Sequence, residues 1–157
     1  MKGKTAKETS VTISTVVTPQ DANLAGNVHG GVIMKLIDTA AGVVATRHSN
    51  SNAVTASVDR IDFHRPGFIG EILTLKASLN LVGKTSMEIG VRVEMENILT
   101  SERRHIASAY LTFVALDERG RPKEVPPLVL EGEDEIRRNR EAANRRKIRL
   151  AEKRTEA

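Results

Sequence analysis

The chain has 157 residues, with 24 basic side chains, 20 acidic ones and no cysteine. That length fits one domain plus a tail, and without cysteines there are no disulfides, thiolate nucleophiles or thiolate metal sites, which allows a reducing, cytoplasmic compartment. MKGKTAKETS lacks the apolar core of a secretory signal, and no apolar run is long enough to span a membrane. The net charge of +4 is unevenly placed: residues 1–130 hold 15 basic and 13 acidic side chains, whereas 136–154 hold nine Lys or Arg against two Glu.

Residues 1–8 read as a flexible N-terminus. Thr9 to Val17 is rich in β-branched residues and predicts a first strand, ended by Thr18-Pro19. A polar, glycine-rich loop follows, Asp21-Ala-Asn23-Leu-Ala-Gly26-Asn-Val-His29-Gly30-Gly31. Val32 to Ala45 is apolar on all sides, which predicts a helix buried nearly all round. Arg47 and His48 close it, cations suited to a helix C-terminus. Val54 to His64 alternates as a strand, with a change of parity at Asp59-Arg60 read as a β-bulge. Leu73 to Leu81, Met87 to Met95 and Ala107 to Ala115 alternate apolar and polar residues as three further strands of a half-buried antiparallel sheet. One apolar helix and one long sheet with a single apolar face predict an α+β fold in which the sheet curls around the helix. Ile106, Tyr110, Val114 and Leu116, on the other face of the last strand, predict a contact between subunits. The domain spans 9–127. Residues 128–157 read as a charged, helical tail with acids first and bases last, matching the helix dipole. Its few apolar residues, Ile136, Ile148 and Leu150, make no continuous stripe, so little contribution to folding is expected.

The residue that asks for an explanation is Asp38, a lone carboxylate in the apolar helix. Such a group is costly unless it is paired, hydrogen-bonded or used. Upstream, Gly30 and Gly31 at the helix start offer backbone N–H donors with no side chain to block close approach. Those donors, backed by the helix dipole, suit the negative charge that develops on a carbonyl oxygen under attack. Asp38 could act there as general base on water or as a nucleophile, against the plainer reading of a structural carboxylate capping a neighbouring loop, and Asn23, by itself a common turn residue, could orient the water or hydrogen-bond the carbonyl. Asp38 lies eight residues after Gly30, about 12 Å along the axis at the α-helical rise. One carbonyl cannot touch both ends of one helix. The spacing therefore predicts two copies side by side, with the glycine end of one facing Asp38 of the other.

Three segments in order, DANLAGNVHGGVIMKLIDTAAGVVATRH, VTASVDRIDFHRP and VGKTSMEIGV, closely resemble the cytosolic, brain-type acyl-CoA hydrolases. The resemblance covers about residues 9 to 130. It implies the hotdog fold, paired as a double hotdog, and hydrolysis of acyl-CoA thioesters with Asn23 and Asp38 as catalytic residues. It also implies a site shared between subunits and dimers grouped in threes as a hexamer. Coenzyme A is then part of the substrate, and no cofactor or metal is expected. The resemblance puts CoA contacts near Ala56, Ser57 and Val58, whose exposed backbone can pair with pantetheine, and near Gly83, Lys84, Thr85 and Ser86, a turn whose amides, hydroxyls and cation suit phosphate. Arg60, Arg65 and the tail arginines are further phosphate candidates.

Two other classes compete. A hotdog hydratase or dehydratase acting on enoyl thioesters needs a histidine with the acid, and His29 is the only one nearby. A non-catalytic acyl-CoA sensor needs an output module, and no helix-turn-helix pattern precedes the domain. The basic tail reads as a solvated helix rather than a nucleic-acid surface, and His48, His64 and His105 share no ligand spacing.

Overall fold

The computed structural model describes residues 1–156. A short strand, β1 (Lys4–Thr5), and a single helical turn, α1 (Ala6–Thr9), precede β2 (Val11–Val16). After the glycine-rich loop come α2 (Gly30–Ser49), β3 (Asn52–Val58), β4 (Asp62–Phe63), β5 (Ile72–Val82), β6 (Ser86–Glu96) and β7 (Arg103–Leu116). The chain ends with β8 (Leu128–Val129) and α3 (Glu133–Glu156). The main sheet is antiparallel, in the order β2-β5-β6-β7-β3, with β4 added beside β7.

The sheet wraps one side of α2. Ile33, Ile37, Ala40, Ala41 and Val44, at helical spacing, are buried against Leu73, Leu75, Met87, Ile89, Val91, Val93, Ala109, Leu111 and Phe113. Small residues let helix and sheet approach: a Cβ on Gly42 would sit 3.6 Å from the Phe113 ring. The helix is not buried nearly all round, as its apolar composition led us to expect. Met34, Lys35, Asp38 and Thr39 are exposed, because one curled sheet covers only one face of a helix. The helix also starts two residues early, so Gly30 and Gly31 form its first turn. It ends on Asn50 in the left-handed conformation (φ 52°), with the Asn50 amide bonded to Thr46 O.

Three strand expectations are corrected by bulges. The irregularity in β3 falls between Thr55 and Ser57, at Ala56, rather than at Asp59-Arg60. Thr55 consequently pairs with the core-facing Phe113, while Val54 pairs with Val114 on the outer face. A second shift places Leu79 opposite Ile89 but Leu81 opposite Glu88, which takes Leu81 out of the core row. A third, between Val93 and Glu94, leaves Ile106 without a partner in β6 and turns it inward, where it is fully buried. On the outer face of β7, Tyr110 meets this chain's own α3: the Arg145 guanidinium lies 3.7 Å from the ring centroid.

Both termini depart from expectation. The N-terminus is built into the domain. Lys4 and Thr5 pair in parallel with Leu128 and Val129, and Ala6 and Thr9 are buried. Thr5 and Glu8 form a reciprocal capping box around α1, a signature present in the sequence as T-A-K-E. This pairing crosses the expected boundary at 127/128. The tail is helical, and it docks. Ala142 is fully buried, Asn139 Nδ2 donates to Asn80 O at 2.9 Å, Arg145 Nη2 meets Glu88 Oε1 at 2.7 Å, and Arg149 Nη1 meets Asp59 Oδ2 at 3.0 Å.

Candidate active site

The first half of the site is the loop into α2. Asn23 donates its backbone N–H to Asn27 O, and its side-chain Oδ1 accepts from the amides of Ala25 (3.0 Å) and Asn27 (3.1 Å). With both acceptor positions of Oδ1 occupied, the network assigns the free end of the amide as Nδ2, a donor. At the loop's base, the Asp21 carboxylate accepts from the amide and hydroxyl of Thr18, which hold its pKa below the usual value, and Asp21 O accepts from the His29 amide. His29 is the N-cap residue. The first amides to turn back onto it are those of Val32 and Ile33, so those of Gly30 and Gly31 belong to the set that a helix start leaves without intrahelical acceptors. Among the described residues, and apart from α2's own backbone and the adjoining residues, nothing lies within 4 Å of a Cβ built on Gly31, and only the Phe63 ring, at 3.8 Å, approaches one on Gly30.

The second half is Asp38. Its Oδ1 accepts from Thr55 Oγ1 at 2.5 Å, which ties the exposed helix face to β3. Thr55 was missed in the sequence. By alternation from Val54 it belongs on the polar, outward face, and only the bulge at Ala56 explains why it faces the helix instead. Within one chain, Asp38 and the glycine end are held apart by the same α2, about 12 Å at the α-helical rise. The fold therefore does not bring Asn23, Gly30 and Gly31 to Asp38 of their own chain. β3 is an edge strand. Around it and α2 stand exposed apolar side chains: Met34, Val54, Val58, Phe63 and Phe68.

The two segments assigned to CoA sit on neighbouring parts of the sheet. Ser57 pairs across β7's Thr112 with Glu88, and Val54 across Val114 with Ser86, so the segments are two strands, about 10 Å, apart. The backbone of the turn is largely used by the fold: Gly83 N donates to Ser86 O, while Thr85 O and Lys84 O accept from Ala115 and Val125. Its side chains are the available groups, with Lys84 exposed. Arg146 of α3 stands against the turn, 3.2 Å from where a Cβ on Gly83 would be. Of the other phosphate candidates, Arg60 pairs with Asp62 at 3.0 Å and Arg65 is exposed. Among the described residues no group of three His, Asp or Glu is arranged to hold a metal ion.

The thioesterase superfamily model matches residues 25–101. The chain is 44% identical over 132 residues to the cytosolic acyl coenzyme A thioester hydrolase of Mus musculus, covering 83% of this chain and 35% of that protein. It thus spans about a third of the length of this mammalian relative. A hexameric acyl-CoA thioesterase crystal structure superposes with a TM-score of 0.93 at 36% identity, covering 97% of each chain. The chain belongs to the acyl-CoA hydrolase family of hotdog thioesterases. Another member, the acyl-CoA hydrolase of Staphylococcus aureus, was solved with butyryl-CoA, CoA and CoA disulfide. It aligns at a TM-score of 0.88 and 35% identity over 97% of this chain and 94% of its own. These family relations fit the curled antiparallel sheet and central helix described above.

Proposed function

We propose that this protein hydrolyses acyl-CoA thioesters to a carboxylic acid and free CoA, in sites made by two chains. The observation that carries the reading is Asp38, the one carboxylate of α2, exposed on the helix face away from the core and hydrogen-bonded by Thr55 beside an open sheet edge. Water supplies the incoming oxygen. Attack on the thioester carbon places charge on the carbonyl oxygen, and collapse breaks the C–S bond, releasing the CoA thiolate to take up a proton. The amides of Gly30 and Gly31 at the start of the partner's α2 stabilise the oxyanion. Asn23 adds a side-chain donor, because its Oδ1 is committed to the loop. Asp38 drives the step as base, taking a proton from water, or as nucleophile, forming an anhydride that water then opens. Oxygen-18 transferred from water into Asp38 in a single turnover identifies the second route. CoA lies along Ala56–Val58, with its phosphates toward Lys84, Thr85, Ser86 and Arg146. No cofactor takes part.

Residue spacing supports these assignments. Staphylococcus aureus acyl-CoA hydrolase was characterised with an asparagine, an aspartate or a threonine replaced by alanine. The asparagine lies 15 positions before the aspartate, and the threonine 17 after it. Asn23, Asp38 and Thr55 repeat both intervals. The edge strand β3 and its apolar surroundings support a homodimer as the smallest active unit, and the hexameric neighbour supports three such dimers. No described helix is long and apolar enough to cross a membrane, and the mouse relative is named cytosolic. We place this protein in the cytoplasm.

The test is thiol release from acyl-CoAs from acetyl to palmitoyl. Asp38→Ala should lower kcat at least about a hundredfold, the scale of a removed general base. Full activity in a folded Asp38→Ala protein would rule the mechanism out.

A further inference from the structure

We propose that Glu71 and Arg104, which belong to neither half of the site, are positioning residues for the loop that carries Asn23. The inference rests on the shared-site reading above. Arg104 lies at the start of β7 and Glu71 immediately before β5, with side chains only 11% and 8% exposed. The contact is bidentate: Nη1 to Oε2 at 2.8 Å and Nη2 to Oε1 at 2.7 Å. Arg104 beside it holds the Glu71 carboxyl below the usual carboxylate range, so the pair is charged at neutral pH.

This pair grips the main chain between 66 and 68 at two points. Arg104 Nη2 donates to Pro66 O at 3.2 Å, and Glu71 Oε1 accepts from the Phe68 amide at 2.9 Å. The same turn holds the Asn23 loop. Gly67 O accepts from Val28 N at 2.9 Å, Asn27 and Phe68 form an antiparallel bridge, and Ile69 N donates to Gly26 O at 3.3 Å. Asn27 O in turn accepts the Asn23 amide at 2.9 Å. A chain of directional bonds therefore runs from a buried ion pair to the backbone of a catalytic residue. The turn has little room to shift, since a Cβ on Gly67 would collide with the Met95 side chain.

The loop has no comparable apolar anchor near its tip, where Leu24 is fully exposed. Val28 packs against the core at the base of the loop, and between Asn23 and Asn27 the loop is held by hydrogen bonds. A buried ion pair is costly to assemble, and apolar residues of similar volume often hold a fold as well. Apolar residues could not fix two named main-chain groups. That is the physical reason to assign the pair to geometry rather than to bulk stability.

The test uses Glu71→Gln and the double variant Glu71→Leu/Arg104→Met, which removes both charges and strands neither. With the best substrate of the acyl-CoA panel, kcat should fall about ten- to a hundredfold, the cost of displacing a catalytic group by about 1 Å, with KM within about twofold. Complementation separates positioning from general damage. In a mixed dimer with Asp38→Ala, one site combines the intact Asn23 loop of the Asp38→Ala chain with the intact Asp38 of the double variant. Random exchange should then restore about a quarter of parental activity, one good site in half the dimers. The Asn23→Ala and Asp38→Ala mixture should restore the same amount. Parental kcat in either folded variant would overturn the proposal. So would restoration by the Asn23→Ala mixture alone, which would place the damage of the double variant in both half-sites. Restoration by neither mixture, with subunit exchange shown independently, refutes the shared site and the positioning role with it.

Discussion

Replacing Arg145 by alanine tests whether α3 belongs to the folded domain. Glu88 is the critical group, because its side chain is only 1% exposed on the outer face of β6. Arg145 supplies its two close donors, Nη2 at 2.7 Å and Nε at 3.1 Å from Oε1. Arg149, 3.8 Å from Oε2, and Asn80, 3.4 Å from Oε1, remain in the variant. Breaking a buried pair costs about 3–5 kcal/mol. Those residual partners, and an arginine that is itself 23% exposed, reduce this to about 2–3 kcal/mol. Loss of the guanidinium over Tyr110 adds about 0.5–1 kcal/mol. A domain of this size loses about 2–4 °C of Tm per kcal/mol, so the combined loss of about 2.5–4 kcal/mol gives an expected drop of about 5–16 °C. The loss has a ceiling: once it exceeds the free energy of docking, α3 lifts off and water reaches Glu88. Deletion after Leu130 measures that ceiling directly. The assay is thermal unfolding by circular dichroism, with hydrogen exchange of the α3 amides. If Tm stays within about 2 °C of the parent and the α3 amides exchange no faster, the ion pair does not hold the helix.

Asn23→Asp keeps the oxygen that caps Ala25 and Asn27 but removes the Nδ2 donor and adds charge beside the oxyanion; kcat should fall about a hundredfold or more, the scale of a lost oxyanion-hole donor, with Tm unchanged, and near-parental turnover in steady-state assays would remove Asn23 from the chemistry. His48 is fully buried, donates Nε2–H to Pro126 O at 2.7 Å, and has no partner for Nδ1 among the described residues; burial pushes its pKa below the usual 6.5, so the unfolded chain binds the extra proton first, stability is complete above about pH 6.5 and declines as pH falls through the folded value, and chemical denaturation from pH 7.5 to 5.5 should show a slope that His48→Gln reduces.

Long, regular elements were legible in the sequence. The alternating rows of β5, β6 and β7 and the apolar run of α2 stand at or near their expected positions, because a half-buried sheet and its helix leave their period in the chain. The bulges were not. At β3 the apolar residues Val54 and Val58 suggested one continuous face, but this strand is an edge, where apolar side chains mark exposed surface as readily as core. Thr55, the partner of Asp38, was hidden by that parity. Glu71 and Arg104 were hidden for another reason: a buried ion pair between residues 33 positions apart leaves no local pattern. The docking of α3 was hidden too, since it uses single charges against Glu88 and Asp59 rather than an apolar stripe.

The tail's basic excess, the strongest compositional bias in the chain, now divides by position. Asn139 touches Asn80 of β5, Arg145 lies on Glu88 of β6 and over Tyr110 of β7, and Arg149 reaches Asp59, just past β3. From 139 to 149 an α-helix advances about 15 Å, and the three spacings from β5 to β3 measure about 14 Å. The helix therefore crosses the sheet strand by strand and arrives at its open edge. Arg145 and Arg149 hold it there, so their charge serves folding rather than a partner. Arg146 is left against the Gly83 turn. Lys153 and Arg154 follow one turn beyond Arg149 and are exposed. In the proposed pair joined along β3, cations beyond that edge would stand near the seam between the two half-sites. On that proposed pairing the end of the tail comes toward the shared site, and the contacts of Arg145 with Glu88 and of Arg149 with Asp59 fix the course of the helix that carries it.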